Sequence, residues 1–177
     1  MPSTLVVNLF GGPSIGKSQV AMELSSSLRK CKIHCELVCE FAKDKVWEES
    51  LKVLENQLYI LAKQEKRLRE LQGKVDVIVT DSPLLLSLYY GAKETPVFHQ
   101  LVLEKFNSYN NHNLMLKREL PYVQLGRLQT ETEARAVDIG LADLMKKHSI
   151  PYEHFSSSDI LCKTVDIVTG IRNKGIR

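Results

Sequence analysis

The residues with the clearest chemical content lie near the N-terminus. Gly11, Gly12, Pro13, Ser14, Ile15, Gly16, Lys17 and Ser18 spell a complete G-x-x-x-x-G-K-S run. Glycines in such a run let backbone N–H groups close on phosphate oxygens, and a helix opening at its end adds a favourable dipole. Lys17 is placed to reach the β- and γ-phosphates of ATP, and the Ser18 hydroxyl to ligate Mg²⁺. The run therefore predicts a nucleotide site with ATP and Mg²⁺ as cofactors, built from all eight residues.

Two carboxylates follow apolar runs, at the carboxyl ends of strands where an open α/β sheet builds its nucleotide site. Val75-Asp-Val-Ile-Val79 leads into Thr80-Asp81-Ser82-Pro83. Asp81 is expected to partner Mg²⁺ with Ser18, directly or through water; a helix N-cap ahead of Pro83 is its other role, and both can hold at once. Glu40, in Glu40-Phe-Ala-Lys43, would stand where an acceptor hydroxyl meets the γ-phosphate and could orient or deprotonate it. A surface glutamate paired with Lys43 or Lys45 fits the same spacing. Further on, Lys117-Arg118-Glu-Leu-Pro121-Tyr122-Val-Gln-Leu-Gly126-Arg127 breaks regular structure at Pro121 and Gly126. Phosphoryl transfer needs cations brought onto the γ-phosphate, often by a closing loop. Arg118, Arg127 and Arg135 are available for this, or are ordinary surface arginines, and the segment about 118–135 reads as a lid. Lys17, Glu40, Asp81 and Arg127 form the expected catalytic set. Gln64, Tyr90 and Arg118 are candidate substrate contacts, with Trp47 and Gln57 as further pocket residues, because amides read base edges and aromatics stack on them.

Short β-rich runs alternating with helical periodicity must position these groups. The strand candidates are Leu5–Phe10, Ile33–Cys39, Val75–Val79, Asn113–Leu116 and Tyr152–Phe155. The helical stretches are Gly16–Arg29, a stripe of Leu54, Leu58, Leu61, Leu68 and Leu71, then Thr130–His148, opening on a near capping box, and Ser157–Ile171. The Lys66-Arg67 and Arg69-Glu70 cluster lies off the leucine stripe and reads as a solvated face. Alternation of this kind implies right-handed crossovers. The fold class is α/β: a mostly parallel five-stranded sheet with helices on both faces, in one domain over 1–177.

Composition agrees. At 177 residues, 44% hydrophobic and 25% charged, the chain has the profile of a globular domain rather than of a disordered or fibrous one. No apolar run approaches the ~18 residues of a membrane helix, and Met1-Pro-Ser-Thr carries no leader pattern, so a cytoplasmic setting (host cytoplasm for a viral chain) is expected. A net charge of +3 leaves a DNA partner open without arguing for it. Cys31, Cys35, Cys39 and Cys162 form no C-x-x-C pair; Cys35 and Cys39 share strand parity and are expected to pack as small buried apolar groups.

Taken in order, these motifs resemble the P-loop kinases typified by the nicotinamide riboside kinase domain of the bacterial NAD-biosynthesis regulator. That family's Glu-Tyr-Ala-Arg is similar to Glu40-Phe-Ala-Lys43, its single helical Gln to Gln64, its Asp-Thr-Asp with a leucine run and an aromatic to Asp81-Ser-Pro-Leu-Leu-Leu86 with Tyr89 or Tyr90, and its Pro-Trp-Val and Gly-Leu-Arg to Pro121-Tyr-Val123 and Gly126-Arg127. Pro83 stands at the second acid of Asp-Thr-Asp, and Gln124-Leu125 where the family has an acid before its glycine. The resemblance implies an ATP-dependent phosphotransferase acting on a nucleoside- or nucleotide-like acceptor. A viral branch that phosphorylates a hydroxymethylated pyrimidine in DNA is similar in size and layout. A nucleotide switch or ATPase working on a protein partner is the reading from another class, and the guanine-specific N-K-x-D element of GTPase switches is absent.

Overall fold

The computed structural model describes residues 4–41, 53, 55–119, 121–123 and 129–173. In chain order the elements are β1 (Leu5–Phe10), α1 (Lys17–Lys30), β2 (Cys35–Val38), α2 (Gln57–Arg69), β3 (Val77–Thr80), α3 (Leu86–Tyr90), α4 (Pro96–Asn107), β4 (Asn110–Leu116), α5 (Glu131–Lys147), β5 (Glu153–Phe155) and α6 (Ile160–Asn173). The strands form one five-stranded sheet in the order β2-β3-β1-β4-β5, and every pairing is parallel. The α/β expectation is met.

A sheet covered on both faces needs apolar residues on both sides of its central strands, and β1 supplies them. Val7 and Leu9 pack with Leu24 and Leu28 of α1 and Ile167 and Ile171 of α6. Val6 and Phe10 pack with Leu61 of α2, Val102 of α4, and Leu141 and Met145 of α5. The one polar residue between them, Asn8, is buried and donates to Asn111 Oδ1 at 2.8 Å and Asn113 Oδ1 at 3.0 Å. Asn113 in turn donates to the Pro151 carbonyl at 2.9 Å, and Asn111 to that of Phe106 at 2.6 Å. This amide ladder ties β1 to β4 through side chains as well as backbone.

The helix ends are chemically marked. Thr95 caps α4 through the Phe98 amide, with Pro96 in its first turn. Thr130 and Glu133 close the expected capping box on α5.

Three expectations need correction. The second strand ends at Val38, so Cys39 lies beyond it and is exposed, while Cys35 is buried. Burial pushes the Cys35 thiol up to about 11, keeping it protonated and apolar in behaviour. On α2 the buried face is Ile60, Leu61, Gln64 and Leu68, so Leu58 lies off it at 53% exposure; Leu54 is outside the described residues. Within the basic cluster, Lys66 and Arg69 are exposed, but Arg67 is engaged. Its Nη1 donates to the Cys39 carbonyl at 2.9 Å, and its guanidinium lies 5.3 Å over the Phe41 ring.

Candidate active site

Register carries the two ends of the site together. Asn8 of β1 lies beside Thr80 of β3, so the G-x-x-x-x-G-K-S loop and Asp81 leave adjacent strands at the same edge. The loop needs left-handed backbone at Gly11 (φ 145°), Ser14 (φ 58°) and Gly16 (φ 97°), and glycine supplies it without strain at two of the three. Lys17 Nζ donates to the carbonyls of Gly11 at 2.7 Å and Gly12 at 3.0 Å, so its charge is held at the loop. No side chain caps the start of α1 and its first turn holds no acid, which leaves its positive end to an anion.

Ser18 Oγ donates to Asp81 Oδ2 at 2.6 Å. Asp81 is 3% exposed, and its other oxygen, Oδ1, is buried with no hydrogen-bond partner among the described residues. Asp81 thus serves Ser18 rather than a helix cap; α3 begins only at Leu86. A buried carboxylate oxygen with nothing to accept from is a cost unless a cation or an ordered water meets it. The pair fits Mg²⁺, an ion commonly held by one or two carboxylates together with substrate phosphates. No group of three or more His, Cys, Asp or Glu among the described residues offers a dedicated protein cage.

Glu40 is half-buried at the same sheet edge, one strand beyond Asp81. The segment carrying it is fastened by α2. Gln64 Oε1 accepts from the Phe41 amide at 3.3 Å, and its Nε2 reaches the Cys39 carbonyl at 3.5 Å and Thr80 Oγ1 at 3.4 Å. Thr80 Oγ1 donates to the Val38 carbonyl at 2.9 Å and accepts from the Ser82 amide at 3.1 Å. Gln64 is 2% exposed, so the amide expected to contact substrate instead joins the chain leaving β2 to the chain leaving β3. Tyr90 exposes 44% of its surface. Its hydroxyl is nevertheless crowded, and burial, then the Glu40 carboxylate, push the phenol well above its usual range.

Arg118 is not a free surface arginine. Its side chain is 6% exposed; Nε donates to Asp138 Oδ2 at 2.8 Å and Nη1 to the Pro13 carbonyl at 3.0 Å. Asp138 Oδ1 accepts from the Gly12 amide at 2.5 Å, so one carboxylate of α5 holds both the arginine and the loop. Asp138 was not among the expected residues. Its signal was present: an acid four residues after Ala134 and three before Leu141, inside the apolar stripe of α5. Arg135 is exposed and paired with Glu131 at 2.8 Å. Val123 donates its amide to Ser14 Oγ at 2.9 Å. Arg127 and Trp47 lie outside the described residues.

The approach of α5 to the loop depends on Gly12. A Cβ there would lie 2.4 Å from the Ala134 carbonyl oxygen and 2.9 Å from Asp138 Oδ1. Gly12→Ala is expected to cost about 1–3 kcal/mol, the range of overpacked sites. Thermal denaturation would show the loss as a fall of several degrees in Tm; an unchanged Tm would mean that α5 does not rest on the loop.

Residues 6–160 match the sequence family described as an AAA domain. No curated protein matches the chain. Among solved structures, it resembles a NadR protein in complex with NR at TM-score 0.61 and 13% identity, over 85% of this chain and 43% of that one. It therefore spans less than half of the NadR protein. Thymidylate kinase from Ehrlichia chaffeensis matches at TM-score 0.60 and 12% identity, over 94% of this chain and 99% of that chain. YorR protein from Bacillus subtilis, in complex with phosphorylated GDP, matches at TM-score 0.57 and 13% identity, over 96% and 98%. At these identities the likeness is one of fold, and the fold is that of the P-loop kinases.

Proposed function

From the premise that this chain belongs to the AAA domain family and has a kinase-like P-loop fold, we propose that it transfers the γ-phosphate of a nucleoside triphosphate to a nucleoside- or nucleotide-like acceptor. ATP is the donor expected from the loop. The observation that carries the reading is the Ser18–Asp81 pair beside the loop, with its second carboxylate oxygen buried and without a partner among the described residues. When bound, Mg²⁺ neutralises charge on the phosphates and fixes their geometry.

The chain's own residues do the rest. The loop amides and the open end of α1 bind the phosphates, and Lys17 turns from the Gly11 and Gly12 carbonyls toward them. Ser18 and Asp81 hold the ion. Glu40 orients the acceptor hydroxyl and takes its proton, and Tyr90 beside it forms part of the acceptor wall. The segment about 118–135 is the lid: Arg118 anchors one end against the loop, and Arg127 closes on the γ-phosphate. No described helix is long and apolar enough to cross a membrane.

A simple nucleotide switch has no acceptor and gives Glu40 no role, so Glu40→Gln separates the two readings. The amide keeps the size of the side chain but takes no proton. Acceptor phosphorylation is expected to fall about 10²–10⁴-fold while nucleotide affinity stays within twofold. Steady-state kinetics against free nucleosides, nucleotides and a hydroxymethylated oligonucleotide, with calorimetry for binding, measures both. Wild-type transfer by Glu40→Gln would make Glu40 a surface residue and sink the acceptor half of the proposal.

A further inference from the structure

Three successive residues of the phosphate loop are held from outside by the chain between Arg118 and Asp138. The Gly12 amide donates to Asp138 Oδ1 at 2.5 Å, the Pro13 carbonyl accepts from Arg118 Nη1 at 3.0 Å, and Ser14 Oγ accepts from the Val123 amide at 2.9 Å. Two of these partners carry opposite charge and bond to each other, Arg118 Nε donating to Asp138 Oδ2 at 2.8 Å. The arginine side chain is 6% exposed and the aspartate 24%.

Neither helix propensity nor packing accounts for the charge of Asp138. Aspartate is a poor residue for a helix interior, and this one stands in α5 among the buried Ala134, Val137 and Leu141. Holding the Gly12 amide needs only an acceptor, which a neutral asparagine or serine would supply. An ionised acid one hydrogen bond from a phosphate loop opposes the anion that the loop binds. Its charge has a use only against another charge, and Arg118 is the cation it touches.

Arg118 unopposed would strengthen the loop. Its guanidinium bonds to a loop carbonyl, so its charge lies close to whatever the loop binds, and buried charges are screened much less than exposed ones. Its Nη2 is buried with no hydrogen-bond partner among the described residues, so the cation is only partly satisfied. Lys17 already brings one positive charge to the loop. A second at full strength would tighten the grip on substrate and product alike, and slow product release limits turnover in many enzymes.

We infer that Asp138 sets the loop's affinity for phosphates by cancelling the charge of Arg118. It is a positioning residue that holds the arginine beside the loop and moderates its pull. The inference rests on the proposed P-loop reading and adds to it the group that governs nucleotide release.

Titration calorimetry with ADP and with β,γ-imido ATP, each with Mg²⁺, tests it on wild type, Asp138→Asn, Arg118→Gln and the double variant, with melting curves to confirm folding. Asparagine keeps an oxygen for the Gly12 amide and glutamine a donor for the Pro13 carbonyl, so charge changes more than shape. Asp138→Asn should bind ADP about 3- to 10-fold more tightly than wild type, the scale of one charge at a partly hydrated edge. The imidotriphosphate, with its extra charge, should gain more. The melting temperature of Asp138→Asn should fall, because the arginine is left buried without its counter-ion. Arg118→Gln should weaken both nucleotides about 3- to 10-fold, and the double variant should fall between the two single ones. A structural strut gives another pattern, with every variant weaker and the double variant weakest. Should Asp138→Asn fail to fold, the double variant compared with Arg118→Gln isolates the acid, since no unpaired arginine remains. Weaker binding by folded Asp138→Asn, a gain that ignores the third phosphate, or a double variant no tighter than Arg118→Gln overturns the inference and leaves the kinase reading standing. Failure of wild type to bind either nucleotide overturns the phosphate site itself.

Discussion

Lys17→Ala is expected to abolish phosphoryl transfer in a protein that still folds. The ammonium bonds to the Gly11 and Gly12 carbonyls, while both core clusters are built without it. Its loss therefore leaves the sheet and its helices packed. During transfer the same charge would lie on the β- and γ-phosphates, where developing charge is greatest and no other described lysine stands in the loop. Removing one preorganised electrostatic donor costs about 10²–10³-fold in turnover; a full positive charge should cost at least that. Steady-state turnover with circular dichroism and a melting curve checks both halves. Near-normal turnover in a folded Lys17→Ala protein would end the kinase proposal.

Asp81→Asn should separate function from stability. With Mg²⁺ present, turnover is expected to fall about 10²–10³-fold, the scale for one preorganised electrostatic group, because the neutral amide no longer balances the ion. Nucleotide binding without metal should be nearly unchanged. Meanwhile the melting temperature should hold or rise. The wild-type carboxylate is buried with one oxygen lacking a partner among the described residues, and a neutral amide is less costly to hold there than an ion. Binding measured with Mg²⁺ and with a chelator, beside Tm, gives the answer. Equal losses with and without metal, accompanied by a lower Tm, would make Asp81 a structural residue.

Legibility in the sequence followed how contiguous each feature is. The phosphate loop was readable because all its chemistry lies in eight neighbouring residues after an apolar run. Asp81 was readable because a strand's carboxyl end is a place on the sheet. Gln64 was visible as an amide on a helix, but its partners, the Phe41 amide beyond β2 and the Thr80 hydroxyl of β3, belong to neighbouring strands' ends whose order the periodicity does not give. Arg118 was visible as a cation near the loop. Its ion pair with Asp138 was not, since it exists only once α5 docks against Gly12. Helix α4 was not singled out, although Thr95-Pro96 announces it.

The asparagine ladder between β1 and β4 has a consequence for alignment. Because β1 is apolar on both faces, a slip of one residue against β4 would exchange one set of aliphatics for another, and hydrophobicity alone would scarcely object. The amides object. A slipped register would strand the buried groups of Asn8 and Asn113 without partners, at about 1–3 kcal/mol for each group left unpaired. The same slip would carry Leu116, at the end of β4, about 3.3 Å along the strand relative to β1 and the loop that follows it. Asn8 and its partners thus act as an alignment key, fixing from inside the sheet where the chain leaving β4 stands against the phosphate loop.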